Sequence, residues 1–344
     1  AKLAYIIDAT AAPICIIAPI SSWAAAVGSS LPEDSGVDGF SLFLHTIPFN
    51  LYALLTICFM LFLVAGDFDF AAMKRYEEQV KKTGKETTVE AEAMEISGNG
   101  KVIDLILPIL VLIAFCVSGM LYTGGILDGV GLVEAFANCD SALSLVLGSF
   151  FTLVFIFVFY MIRRVIRFNE FCESFTIGVK AMIPAIMILC LAWTLSGICS
   201  ADYLNIGGYV KAVVGGNALV GSLMPALMFV IAAGLAFSTG TSWGTFGILL
   251  PIIAGINLPS ELLVITVSAC LAGAVCGDHC SPISDTTIMS SAGAQCDHMN
   301  HVTTQIPYVA VAATVSFIGY CIAGVVQNPV IVLAVSFVIM AAVL

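Results

Sequence analysis

From Ala212 to Ser260 the chain carries no Asp, Glu, Lys or Arg, and residues 141–161 and 302–344 are equally free of charge. A soluble domain keeps about 25% charged residues, whereas a helix that crosses a bilayer needs about 20 apolar residues in a row. Runs of this length therefore place the chain in lipid. The composition agrees, at 60% hydrophobic and 10% charged, with a mean hydropathy of +1.06. The expected fold class is an all-α polytopic membrane protein. A transmembrane barrel would instead show short alternating segments.

The placement of the basic residues orients the spans. Lys74, Arg75, Lys81, Lys82, Lys85 and Lys101 fall in one segment and Arg163, Arg164 and Arg167 in another, while the loops 28–40 and 125–140 hold none. By the positive-inside rule the first two segments are cytoplasmic and the two loops external. The net charge of −11 decides little beside this distribution. The 12 cysteines are scattered through apolar stretches without a CxxC pair, so they read as small buried apolar residues.

Along the chain, residues 1–65 read as the end of a first repeat, 66–101 as a polar cytoplasmic loop, 102–200 as connecting transmembrane helices and 201–344 as a second repeat. In the polar loop, Glu77/Lys81 and Glu78/Lys82 stand at the i,i+4 spacing of a solvated helix. The uncharged run is interrupted by STGTSWGTFG at 238–247. It forms either two full spans or a re-entrant hairpin over 217–258, and the polar, glycine-rich middle favours the hairpin. Irregular backbone inside a membrane survives only where protein or a water-filled cavity satisfies it. Residues 261–293 then form a broken helix.

Two stretches share the pattern P-I-x6-S-S, PICIIAPISS at 13–22 and PISDTTIMSS at 282–291, each a few residues after an aspartate, Asp8 and Asp278. The first runs toward an external loop and the second toward a cytoplasmic one, as in a transporter built from inverted repeats. The hairpin before the second copy has no counterpart after Ala1, so a further N-terminal portion is expected.

The stretch GDHCSPISDTTIMSSAG at 277–293 holds two aspartates, a histidine, a cysteine and six hydroxyl residues in the middle of apolar sequence. Ser281-Pro282 reads as a helix start, with serine as cap and proline at the first helical position, leaving CGDHC as a non-helical break. On that reading Ser281 and Asp285 share a face, Asp278 lies in the break, and Ser284, Thr286 and Thr287 add neutral oxygens. A charge at the bilayer centre costs at least about 2.5–3.5 kcal/mol, so two carboxylates here call for a cation or a proton. Sodium prefers oxygen ligands, as the harder divalent cations do, and a desolvated carboxylate also attracts protons. One site taken by Na⁺ or H⁺ in turn is the minimal exchanger. Thr239, Thr241 and Ser242 at the hairpin tip are expected to meet the break. His279 is either a proton carrier or a packed neutral imidazole. Asp8 and Thr10 are weaker ion-binding candidates in the first repeat, where Cys15, Ile16 and Ile17 stand opposite Ser284, Asp285 and Thr286. His298 and His301 read as surface loop residues, His45 as a structurally satisfied polar group, and Trp23 and Trp243 as packing.

GTSWGTFGILLP with GDHCSPISDTTIMSSAGAQCDHMNHVTTQIPY closely resembles the NhaC-type Na⁺/H⁺ antiporter family, and DATAAPICIIAPISSWAA looks like that family's first-repeat element. The resemblance covers essentially the whole chain. It implies the wider ion transporter superfamily, an inverted-repeat secondary transporter with discontinuous helices and re-entrant hairpins, and a multi-pass place in a bacterial or archaeal cytoplasmic (inner) membrane. It implies an ion site of Asp278, Ser281, Asp285 and Thr286 with the tip Thr239–Ser242, Na⁺ being held through Asp278 and Asp285. It leaves the solute open, since members exchange sodium for protons or move organic solutes such as malate against lactate, or amino acids.

Three functions therefore compete. The first is a Na⁺/H⁺ antiporter with no cofactor, whose partners are the lipid bilayer, Na⁺ and H⁺, with no nucleic acid and a homodimer left open. The second is a Na⁺- or H⁺-coupled carrier of an organic anion or amino acid. The lack of Lys or Arg from 212 to 344 leans against it. The third, an intramembrane enzyme, fails because Val275 stands where a GxGD signature needs glycine.

Overall fold

In this computed structural model the structure describes residues 1–18, 23, 27, 39–66, 68–83, 100–137, 139–199, 202–205, 208–209, 212, 218–256 and 258–343. Most of the acidic loop 28–40, the loop residues 84–99, most of 201–216 and the Ser21-Ser22 end of the first P-I-x6-S-S copy lie outside them.

The helices follow in order: α1 (Lys2–Cys15), α2 (Gly39–Thr46), α3 (Leu51–Gly66), α4 (Ala71–Thr83), α5 (Ile103–Thr123), α6 (Leu132–Ala137), α7 (Ser141–Arg163), α8 (Phe168–Cys199), α9 (Ala218–Thr239), α10 (Ser242–Ala254), α11 (Ser260–Cys280), α12 (Asp285–Gly293), α13 (His298–Val326) and α14 (Pro329–Val343). No strand occurs among the described residues. Six stretches among them are long and apolar enough to cross a membrane, in 51–82, Ile103–Thr123, Ala142–Arg163, Gly221–Thr239, Ser260–Cys280 and His298–Val326. The chain is an all-α polytopic membrane protein. Two further apolar helices are shorter, Ser242–Ala254 and Pro329–Val343. The turn at Gly240 thus joins one helix of crossing length, α9, to one short helix, α10.

The chain divides into two compact units, one of segments 1–19, 26–91 and 188–344, the other of 20–25 and 92–187. In the second, α5 lies on α7. A Cβ at Gly148 would sit 2.6 Å from Cys116 Sγ, so only glycine allows the approach, as is usual where helices meet in lipid. Thr123 Oγ1 and Ser144 Oγ are hydrogen-bonded across the pair at 2.8 Å. Arg163 pairs with Asp104 at 3.1 Å, and Tyr160 OH donates to the Asp104 carbonyl at 2.8 Å. Many apolar side chains of α5 and α7 are exposed, the pattern of helices solvated by lipid tails.

In the first unit α11 is the central helix. Ala269 through Cys276 are buried without interruption. It packs on α9, α10, α13, α3, α2 and α1. A helix hydrophobic all round belongs inside a bundle. Its Gly277 lies against Ala233 and Phe237 of α9, with no room for a Cβ. Tyr320 of α13 ties the bundle together: its hydroxyl donates to the Phe49 carbonyl at 2.9 Å and accepts from Leu51 N at 3.2 Å. On the polar side, Lys2 Nζ pairs with Asp69 at 3.2 Å, and Tyr308 OH donates to the same carboxylate at 2.8 Å.

Candidate functional site

The break after α11 lies one turn later than the sequence suggests. The helix α11 continues through Gly277, Asp278 and His279 to Cys280, and α12 starts at Asp285. Proline explains both ends. It lacks the N–H that the carbonyl of Asp278 would take, and its ring clashes there. It also drives Ser281 out of the helical region, to φ −75° and ψ 130°. Pro282 thus ends one helix rather than opening the next, and Ser281 and Asp285 do not share a helical face. Ser284 takes the N-cap position of α12 at φ −69° and ψ 135°, without a side-chain bond to the amides.

The hairpin turn meets this break. Gly240 has φ +65°, which glycine adopts freely, and a Cβ there would lie 2.7 Å from Ile283 Cγ1. Thr241 caps α10. Ser242 Oγ donates to Asp278 Oδ2 at 2.7 Å and lies 3.1 Å from the Ala274 carbonyl. Ser281 Oγ donates to the Phe237 carbonyl at the end of α9, at 2.8 Å. Asp278 is 3% exposed, and its Oδ1 has no hydrogen-bond partner among the described residues. A buried carboxylate oxygen without a donor carries a desolvation cost that a partner would relieve.

The other residues singled out from sequence divide. Asp285 is exposed, its Oδ1 accepting from Thr286 N at 2.8 Å, so the two aspartates of the motif occupy different environments. Thr286 shares a hydrogen bond with Ser284, Oγ1 to Oγ at 2.8 Å. Thr239 is exposed and donates to the Leu235 carbonyl of its own helix at 2.9 Å. Thr10 does the same toward Ile6 at 2.8 Å. Trp243 lies near Phe246, ring to ring at 6.2 Å, and His45 Nδ1 lies 2.7 Å from the Ser41 carbonyl. Among the described residues no group of three or more His, Cys, Asp or Glu gathers to hold a metal.

His279 is fully buried. Its Nδ1 lies 2.8 Å from Tyr52 OH, and Tyr5 stacks on it with ring centroids 5.9 Å apart. Its carbonyl, freed by the end of α11, accepts from Gln305 Nε2 at 2.8 Å. Asp8 and His301 correct the sequence reading of a surface histidine. Both are completely buried, and Asp8 Oδ2 lies 3.3 Å from His301 Nε2. Here α1 runs straight through Asp8 and Pro13 to Cys15, so the first copy of the repeated pattern places its aspartate mid-helix and the second places Asp278 at a helix end. Sequence reasoning missed His298, His301 and Gln305. They fall at i, i+3 and i+7 behind the Asp297 cap, which accepts from Asn300 N at 2.9 Å. That cap and spacing are the signal that places them on one face of a helix.

A polytopic helical bundle whose long helix is interrupted by proline at a buried carboxylate, facing a glycine hairpin, is the architecture of a membrane transporter. The chain belongs to the Na⁺/H⁺ antiporter family, whose sequence profile matches residues 14–325. This is a family of transporters, not of enzymes. Among similar proteins, an uncharacterized protein of Haemophilus influenzae is 42% identical over 337 residues, 94% of this chain and 64% of its own length. The malate-2H⁺/Na⁺-lactate antiporter of Bacillus subtilis is 27% identical over 181 residues, 49% of this chain and 37% of its own. The arginine/ornithine antiporter ArcD of Halobacterium salinarum is 34% identical over 110 residues, 30% of this chain and 22% of its own. The chain thus spans less than two thirds of the length of each. No solved structure matches.

Proposed function

We propose that the protein is a secondary antiporter that exchanges Na⁺ for H⁺ across a cytoplasmic membrane, with Asp278 occupied by Na⁺ and H⁺ in turn. The observation that carries this is the Asp278 carboxylate, buried and held by Ser242 on one oxygen, with no hydrogen-bond partner for the other among the described residues. Ser242 keeps the carboxylate aimed, and Ser281 fastens the end of α11 to the end of α9. A bare carboxylate oxygen binds either a hard cation or a proton, never both. Loading one therefore expels the other, which is the coupling an exchanger needs. Asp285 and Thr286, on the exposed side of α12, fit a place on the entry path better than one in the same shell as Asp278. The inverted-repeat relation of α1 to the α11–α12 element rests on the shared P-I-x6-S-S pattern and remains part of this proposal.

A second reading keeps the break but moves an organic anion or amino acid with these ions. Its support is the similarity to the malate-2H⁺/Na⁺-lactate antiporter of Bacillus subtilis and the arginine/ornithine antiporter of Halobacterium salinarum.

The test is the whole protein in proteoliposomes with an internal pH dye and an imposed proton gradient. Adding Na⁺, but not K⁺, is expected to dissipate the gradient, and Asp278→Asn is expected to abolish the response. No response to any cation sinks the ion-only reading and directs the assay to dicarboxylates and amino acids.

A further inference from the structure

One carboxylate ties the start of α5 to the end of α7, on the side that the positive-inside rule assigns to the cytoplasm. Asp104 Oδ2 accepts from Lys101 N at 2.8 Å, and its Oδ1 lies 3.1 Å from Arg163 Nη1. Arg163 also lies over the Phe159 ring, 5.5 Å from its centre. Asp104 and Arg163 are therefore spent on each other. Lys101 and Arg164 flank this pair, and both are exposed. Among the described residues neither forms an ion pair with a carboxylate. Arg167 differs, because Glu170 comes up to it, accepting from Arg167 N at 2.7 Å.

Arg164 holds its place against the preference of the backbone. It caps α7 at φ +53° and ψ +38°, left-handed backbone that favours glycine. A residue with a Cβ persists there only where its surroundings fix it. Arg164 N donates to the Met161 carbonyl at 3.3 Å and Val165 N to the Tyr160 carbonyl at 3.1 Å. Phe157 packs on Phe168 and Phe171 across the turn, with ring centroids 5.9 and 5.1 Å apart. Those bonds and rings would hold a glycine equally well. What arginine adds is a fixed positive charge one residue past a membrane helix.

Apolar surface leads away from these charges. Leu105, Ile109 and Leu112 of α5 are exposed, as are Val154, Val158 and Ile162 of α7. Each set is spaced by three or four residues and so lies along one helix face. We propose that Lys101 and Arg164 dock the phosphate of an anionic phospholipid whose acyl chains lie along these faces. The complementarity is double. A phosphate takes charge-assisted hydrogen bonds from an ammonium and a guanidinium, and hydrocarbon covers the apolar stripes. A soluble anion would use only the first. Arg167 stays outside the site because the Glu170 carboxylate stands beside it. The proposal is independent of ion exchange at Asp278.

The experiment is native mass spectrometry of the whole protein, released from micelles that hold equal amounts of phosphatidylglycerol and phosphatidylcholine with the same acyl chains. The wild type is expected to retain phosphatidylglycerol in excess. Lys101→Gln and Arg164→Gln should each weaken that retention about fivefold, the effect of one basic residue beside an anionic headgroup. Arg164→Lys should restore most of it. The double variant Lys81→Gln/Lys82→Gln, in the other basic segment, should leave the excess unchanged; an equal fall there makes the attraction diffuse and overturns the site. Arg164→Gly separates binding from folding. Its unfolding temperature in phosphatidylcholine alone is expected to equal or exceed that of the wild type, since glycine suits the turn, while the excess is lost. A lower unfolding temperature would mean that the arginine serves the fold, and overturns the inference. So does an excess that is absent from the wild type or survives in Lys101→Gln and Arg164→Gln. Added glycerol phosphate is expected to leave the bound lipid in place; if it displaces the lipid, the site takes a soluble anion and the lipid proposal falls.

Discussion

Ser242 and Asp278 form a pair whose two members can be separated by experiment. Ser242→Ala leaves Asp278 Oδ2 without its donor, a loss worth about 1–3 kcal/mol for a buried acceptor. Ser242→Thr restores the hydroxyl. The expected result is a Na⁺ KM raised about tenfold in Ser242→Ala and near wild type in Ser242→Thr, read by ²²Na⁺ uptake. The Asp8–His301 pair answers to a different test. Removing one partner of a fully buried pair strands the other and costs about 3–5 kcal/mol, while replacing both with apolar residues costs far less. Asp8→Leu should therefore lower the unfolding temperature more than the double variant Asp8→Leu/His301→Leu does, measured in detergent. Asp278 was legible in the sequence because a carboxylate stands out in an apolar span. His301 was not, because its partner lies 293 positions away and only the packing of α1 on α13 joins them. Asp285 shows the opposite failure: the motif marks it as strongly as Asp278, yet side-chain direction, which composition does not encode, leaves it exposed.

At the scale of the element, Pro282 decides where α11 stops. Proline inside a helix costs about 3 kcal/mol, through a lost hydrogen bond and a clash with the preceding turn. Pro282→Ala removes that barrier. The helix is then expected to run from α11 toward α12 and transport to fall at least about tenfold, with folded yield unchanged or higher, since the substitution relieves a helix of its breaker. Spin labels at the exposed positions Ile283 and Met289 would report helical spacing in the variant and the link geometry in the wild type. The existence of the break was legible, because Ser-Pro amid a cluster of polar residues disfavours a continuous span. Its position was misjudged by one turn, because a proline can end a helix or open one, and the choice depends on what receives the freed carbonyls. Here Gln305 and Thr287 take the His279 carbonyl, so the chain can stop at Cys280. Gly240 was legible as a turn residue; that Ile283 packs on it was not, since this contact joins two breaks that lie 43 positions apart.

For the whole molecule, the long uncharged runs were enough to place α7, α9 and α13 in lipid, because burial of apolar surface and backbone satisfaction leave a membrane chain few alternatives. What they could not show was the central place of α11, whose apolar and small residues look no different from those of the lipid-facing helices until α9, α10, α13, α3, α2 and α1 surround it. That burial couples the proposed ion site to the stability of the bundle. A ligand that binds only the folded state stabilises it by RT ln(1 + [L]/Kd), about 2.7 kcal/mol at a hundred times Kd. Na⁺ is therefore expected to raise the unfolding temperature of the wild type relative to a bulky organic cation at equal ionic strength. On the proposed exchange, protons compete for the same oxygen. Each pH unit below the range in which Asp278 ionises raises the Na⁺ needed about tenfold, and above that range the requirement is flat. The Na⁺-dependent rise should thus shrink as pH falls and vanish at every pH in Asp278→Asn, where neither ion has a charge to neutralise. A rise that persists in Asp278→Asn places the cation elsewhere in the bundle, whatever the transport assays return.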